Sequence, residues 1–296
     1  VAINYWIASG SNAWGTNGNW STGATPTNSD DVIITGAKSQ ESIDGSGPHI
    51  CPNSIQVAED WDYAIGDSGT ALSFGNTAGN MADLTFMGNA AAYFGIAATF
   101  SIANVTVRTN NRTNGAFNIG GAGTVTAAQF LMGHVTVLSS MAALTEAICA
   151  YTHAADNDVQ LVVQASAAVA TLRVFGGRVT ASAGFATELF QKGGLVTISA
   201  GNVGILNLVG GTLAYQTDGG TITTARIAGN GLLDLSGEGT AKTFTNTVRI
   251  FENGRVDTRN GAGAKNLTFS GSPDVAVYGD QARLLQSGSA IEVKHF

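Results

Sequence analysis

The chain has 296 residues, with 39 Gly, only 4 Pro and a 44% hydrophobic share, and 12% of its residues are charged against a usual ~25%. Its wealth of Val, Ile, Leu and Ala excludes a disordered chain, which is poor in those residues and rich in charge. A net charge of −7, a pI near 4.9 and nine scattered arginines argue against nucleic-acid binding, and no run approaches the ~18 unbroken apolar residues of a membrane span.

Residues 1–70 hold all four tryptophans, Trp6, Trp14, Trp20 and Trp61, and much of the Asn and Ser. That profile predicts a cap or docking segment, with Trp6, Trp14 and Trp20 as candidate docking residues, because aromatic anchors dominate interfaces. The start, Val1 to Trp6, lacks the basic stretch and apolar run of a signal peptide, so the chain is expected to fold where it is made or to have shed such a segment. From 71 to 296 the pattern is that of a solenoid. Leu84 to Gly88, Phe100 to Val107, Phe117 to Val125 and Phe130 to Val137 read as coils of variable length. Between Met141 and Asp158 the pattern lapses; the Ala-rich stretch there predicts a short helix or a loop excursion, without a domain boundary, because strand alternation resumes at Val159.

The most regular region is 170–275. Leu172 to Thr180, Leu189 to Thr197 and Ile205 to Leu213 each give an apolar-x-apolar strand, a Gly-containing bend and a second strand, and looser copies run Ala225 to Leu233 and Val248 to Val256. A degenerate sixth runs from Leu267 through Ser270 and Gly271 to Val275. The second glycine of each bend marks the repeat: Gly177, Gly194, Gly211, Gly231 and Gly254, with steps of 17 (177→194), 17 (194→211), 20 (211→231) and 23 (231→254). Three short strands and three bends need about this length, with strands of ~4–5 residues, and glycine turns sharply at positive φ without a steric penalty. Evenly spaced Gly turns also mark β-sandwiches and barrels, but a hairpin meander gives no reason for each bend to repeat its flanks. The expected fold is therefore all-β, a right-handed parallel β-helix with a Trp-rich N-terminal cap. Leu284 to Phe296 reads as a closing strand or a partner contact.

The opening residues also resemble a known family. Asn4-Tyr-Trp6-Ile, Gly18-Asn-Trp20-Ser, Pro26 and Asp30-Asp-Val-Ile-Ile34 look like the start of a group of tailed-bacteriophage virion proteins that continue into Gly-rich β-helical coils. A similar motif opens many autotransporter-type β-helix passengers. The close match covers about the first 35 residues, and the remainder agrees in texture. The resemblance implies a homotrimer that decorates the capsid or forms a spike. It further implies the major capsid protein as partner and a place on the capsid surface after assembly in the host cytoplasm. A weakly charged Thr/Asn surface fits burial against other chains, and it equally suits a cell-surface or secreted solenoid, a fibre or adhesin contacting host glycans.

Motifs that carry chemistry are sparse. Glu59-Asp60-Trp61-Asp62 is the tightest acidic cluster and reads as a solvated loop rather than a sugar or Ca²⁺ site. Asp156-Asn-Asp158 opens like a calcium loop but lacks the Gly and Glu that complete one. Asp234 and Asp257 each follow their bend by three residues and read as a surface ladder; as a stacked pair they are also the residues a β-helix polysaccharide-degrading enzyme would use. His49, His134, His153 and His295 show no ligand spacing, and Cys51 and Cys149 read as free, buried thiols. The expectation is a non-enzymatic structural protein with no cofactor, no metal, no nucleic-acid partner and no membrane partner.

Overall fold

The computed structural model describes residues 1–45, 49, 51–75, 79–113, 115–150, 159–216, 220–235, 241–257, 266–269, 275–277, 283–285 and 294–295. Across them the chain is an all-β solenoid, a parallel β-helix, as the glycine steps predict. It divides into two compact units, Val1–Ala147 with His153–Val162, and Ile148–Thr152 with Val163–Phe296.

In the first unit one parallel ladder runs through Ile3–Tyr5, Asp31–Ile34, Ser54–Val57, Gly79–Phe86, Phe100–Arg108 and Thr124–Val137. Successive side chains of a strand point to opposite faces, and the inward ones are apolar: Val32 and Ile34, Ile55 and Val57, Leu84 and Phe86, Val105 and Val107 are all buried. A second ladder, Leu72–Phe74, Ala92–Ile96 and Phe117–Gly121, supplies the facing wall. Phe74, Phe94, Phe117 and Phe86 stack between the ladders with ring centroids 5.3–6.5 Å apart.

Strands of the first ladder already occur within residues 1–70, so that segment is not a body apart from the coils. The cap proper is shorter. Residues 19–21 run antiparallel to the first strand, with the Ile7 N–H donating to the Asn19 carbonyl at 2.8 Å and the Ser21 N–H to the Tyr5 carbonyl at 3.0 Å. A terminal strand with open N–H and C=O groups invites pairing with other chains, and this short return occupies part of that edge.

The second unit is built in the same way, its first ladder running through Val169–Val174, Phe185–Gln191, Val203–Leu208, Gly220–Ile227 and Val248–Ile250. The second holds Arg178–Ala181, Leu195–Ile198, Thr212–Tyr215, Leu232–Asp234 and Arg255–Asp257. In it Arg178 pairs with Leu195, Leu195 with Thr212, Thr212 with Leu232 and Leu232 with Arg255, the same steps of 17, 17, 20 and 23. Leu172, Leu189, Leu206, Ala225 and Val248 form one buried inward column.

The five marker glycines do stack, but for two reasons rather than one. Gly177, Gly194 and Gly211 have φ of 82°, 74° and 79°. At Gly231 and Gly254 the left-handed residue is instead Gly229 (φ 55°) or Asn253 (φ 62°), and glycine is required by space. A Cβ would lie 2.7 Å from the Leu208 carbonyl oxygen at Gly231 and 2.5 Å from that of Ile227 at Gly254.

Two expectations are corrected. The Ala-rich stretch after Met141 is a strand, Ala143–Cys149, with Leu144, Ala147 and Cys149 buried, because neighbouring coils supply the hydrogen bonds that alanine's helix propensity would otherwise win. The division into units also falls in this stretch, where no boundary is expected from the pattern. Near the C-terminus, Asn266–Phe269, Val275–Val277, Arg283–Leu285 and Lys294–His295 each pair in parallel with an earlier coil. The bend at Ser270 and Gly271 lies outside the described residues.

Candidate functional site

The tryptophans are not surface anchors. Trp6, Trp14, Trp20 and Trp61 are each 2% exposed or less. Trp14 and Trp20 meet edge to face with centroids 4.6 Å apart, Trp6 and Trp20 at 5.1 Å, and Trp14 reaches Phe74 at 5.6 Å. They plug the end of the first unit's interior. The motif that carries the family resemblance is thus a capping device. Asn4 and Asn19 are buried beside the indoles, where the Asn4 Nδ2 donates to the Ala24 carbonyl (3.0 Å) and the Asn19 Nδ2 to that of Ala13 (2.9 Å). Trp6 and Trp20 donate their indole N–H to the carbonyls of Glu41 and Trp14.

The acidic candidates serve the corners. Asp60 accepts the Thr35 hydroxyl at 2.7 Å and the Ala37 N–H at 3.0 Å. The Thr35 hydroxyl chiefly, with backbone N–H groups beside it, holds the Asp60 carboxyl below its usual range. Asp62 accepts from the Asn89 amide at 2.9 Å, and Glu59 from Asn110 at 3.3 Å. Asp31, lowered by Ser54 and then Asn53, is bound to both across one coil step. Asp234 and Asp257 stand opposite each other in register, as the sequence ladder requires. Asp156 and Asp158 lie outside the described residues, as does His153.

Among the described residues no group of three His, Cys, Asp or Glu could hold a metal ion, and no helix is long and apolar enough to cross a membrane. The His134 ring has a buried Nδ1 without a hydrogen-bond partner, and burial, then Arg112, lowers its pKa. Cys51 and Cys149 are free and buried; burial raises both thiols, Cys149 to about 12, which keeps them unreactive.

What the surface offers lies elsewhere, in two places. In the first unit, Ile3–Tyr5 and its extension alternate with apolar residues on both faces. Asn4 and Trp6 point inward, while Ile3 (55% exposed), Tyr5 and Ile7 (36%) point outward, next to Ile33 in register with Tyr5. The outer side of this strand is therefore an apolar row rather than the polar one an outward strand face usually carries. The pattern Ile3-Asn-Tyr-Trp-Ile7 contains that signal, masked by the larger tryptophans.

In the second unit, Phe175, Ile205 and Val209 are exposed at 40–44%. They flank an outward column of the first ladder, Arg173, Phe190, Asn207, Arg226 and Arg249, one residue from each successive coil. Arg173 pairs with Glu188 at 3.4 Å and lies 6.0 Å from the Phe190 ring, and Asn207 donates to Glu188 at 2.7 Å. The triplets Leu-Arg-Val, Ala-Arg-Ile and Val-Arg-Ile foreshadow this column, but only the register stacks them. No protein-family model, curated protein or solved structure matches the chain.

Proposed function

We propose that this chain is a structural virion protein, a decoration or cement protein that trimerises and docks on the capsid of a tailed bacteriophage. Its work is mechanical: stacked parallel coils resist deformation, and docking spreads stabilising contact over neighbouring capsid subunits. The observation that carries the reading is the apolar outer row Ile3, Tyr5 and Ile7 on the capped first strand. It takes over, within the same N-terminal segment, the docking role that Trp6, Trp14 and Trp20 lose by being internal. The resemblance of residues 4–34 to phage virion proteins supports the trimer and the capsid partner.

The test is re-addition of the pure protein to phage heads stripped of it, with sedimentation velocity on the free protein. We expect a trimer that binds the heads and raises their resistance to heat. The pair Ile3→Asn and Ile7→Asn should leave thermal unfolding of the chain within a few degrees of wild type and reduce head binding at least tenfold. A monomer that ignores the heads, or unimpaired binding by the double variant, would reject the assignment.

A further inference from the structure

The column in the second unit carries a separate function. We infer that Arg173, Phe190, Asn207, Arg226 and Arg249 form a linear binding strip for an acidic glycan, a chain of sugars bearing carboxylates.

Five features converge. First, the residues come from consecutive coils in unbroken register, so their spacing is ~4.8 Å per step and the strip spans roughly 19 Å. That rise is close to the spacing of successive rings in an extended sugar chain, and a polymer laid along the solenoid axis meets one side chain per ring. Second, three of the five positions, Arg173, Arg226 and Arg249, are cationic in a chain whose net charge is −7, and the neighbouring Glu188 is engaged by Arg173 and Asn207 rather than by Arg226 or Arg249.

Third, Arg226 stands directly opposite Arg249, and like charges opposite each other on adjacent strands are destabilising. Neither has an ion-pair partner among the described residues, and the Nε of Arg249 is buried without a hydrogen-bond acceptor. A carboxylate between the two guanidinium forks removes the repulsion and accepts paired N–H bonds. Fourth, the column includes an aromatic position: Phe190 lies half-buried on the same face, with Phe175 at 5.8 Å and the Arg173 guanidinium 6.0 Å from its ring, an apolar contact for a sugar ring set beside a cation. Fifth, Asn207 between Phe190 and Arg226 donates its amide to Glu188 and keeps its carbonyl oxygen as an acceptor for hydroxyls. Nucleic acid is the other polyanion with rings to stack, and the titration with an oligodeoxynucleotide separates it from the glycan.

The experiment is calorimetric titration of the full-length protein with oligomers of alginate, hyaluronan and polysialate, a neutral maltooligosaccharide, and a single-stranded oligodeoxynucleotide. At least one acidic glycan should bind, more weakly as salt is raised, while the neutral oligomer does not. The double variant Arg226→Gln/Arg249→Gln should weaken that binding at least tenfold, Phe190→Ala about threefold or more, and Arg255→Gln, which lies on the other ladder, should leave it unchanged. All four positions point outward, and unchanged circular dichroism and melting verify that each variant folds. Failure of every acidic glycan to bind, equal or tighter binding of the oligodeoxynucleotide, or full binding by the double variant would overturn the inference. None of these results bears on head binding through Ile3 and Ile7.

Discussion

Asp60 illustrates how single polar residues work in this molecule. Its carboxylate gathers the Thr35 hydroxyl and the Ala37 N–H, two groups of the preceding coil's corner. Because these bonds favour the charged form, the folded-state pKa lies below that of the unfolded chain. Such a group contributes its full stabilisation above the unfolded value of ~3.9 and loses it as pH falls through the depressed folded value. Replacing Asp60 with Asn should therefore lower the melting temperature at pH 7, and the wild-type and variant curves should converge as the pH drops below ~3.9. Calorimetric melts across pH 2–7 check this, and parallel curves would refute it. In the sequence the same residue is one of an acidic group that reads as a solvated loop. It is exposed, as that reading has it, but its hydrogen-bond partners sit 23 to 25 residues away and only folding brings them near.

At the scale of the element, the Gly177–Gly194–Gly211 corner is the most constrained feature. All three glycines have positive φ, and a methyl on Gly194 would overlap the Gly177 carbonyl oxygen of the coil before. Gly194→Ala should cost about 2 kcal/mol or more, from left-handed strain and a backbone clash together. Gly10→Ala, where nothing lies within 4 Å, should change stability by no more than ~0.5 kcal/mol. Chemical denaturation of the two variants decides the matter, and equal effects would show that the ladder does not constrain the corner. This element was the most legible from the residues alone because its coils are short and equal. In the first unit the corresponding steps are 23 (Val32 to Ile55), 29 (Ile55 to Leu84), 21 (Leu84 to Val105) and 23 (Val105 to Ala128), so no period emerges although the coils are built alike. The strand Ala143–Cys149 was missed for a related reason: alanine favours helix locally, and the coils that make it a strand are distant in sequence.

For each unit as a whole, stacking solves the problem of the core and creates the problem of the ends. A coil cannot bury its interior alone, and an end coil leaves it open. The indoles of Trp6, Trp14 and Trp20 close that opening in the first unit, continuous with Phe74. Trp20→Ala should consequently destabilise the first unit by roughly 3–5 kcal/mol, the range for emptying a large buried aromatic site. In the native protein iodide should barely quench the indole fluorescence. Free quenching with an unchanged melting temperature in Trp20→Ala would mean that the indoles are surface anchors after all.

By itself, the sequence determined the parallel β-helix and the register of coils from 177 to 254, since both follow from alternation and glycine spacing, which are local. Only the tertiary structure decided which face of each residue is spent on the molecule itself. Trp6, Trp14 and Trp20, the evident interface residues by type, are turned inward because an open solenoid end must be filled. Ile3, Ile7, Phe175 and the arginines of the Arg173–Arg249 column are left outside. Which residues share a column depends on the stacking of coils 17 to 23 residues apart in that stretch, and burial depends on what the neighbouring coil already fills.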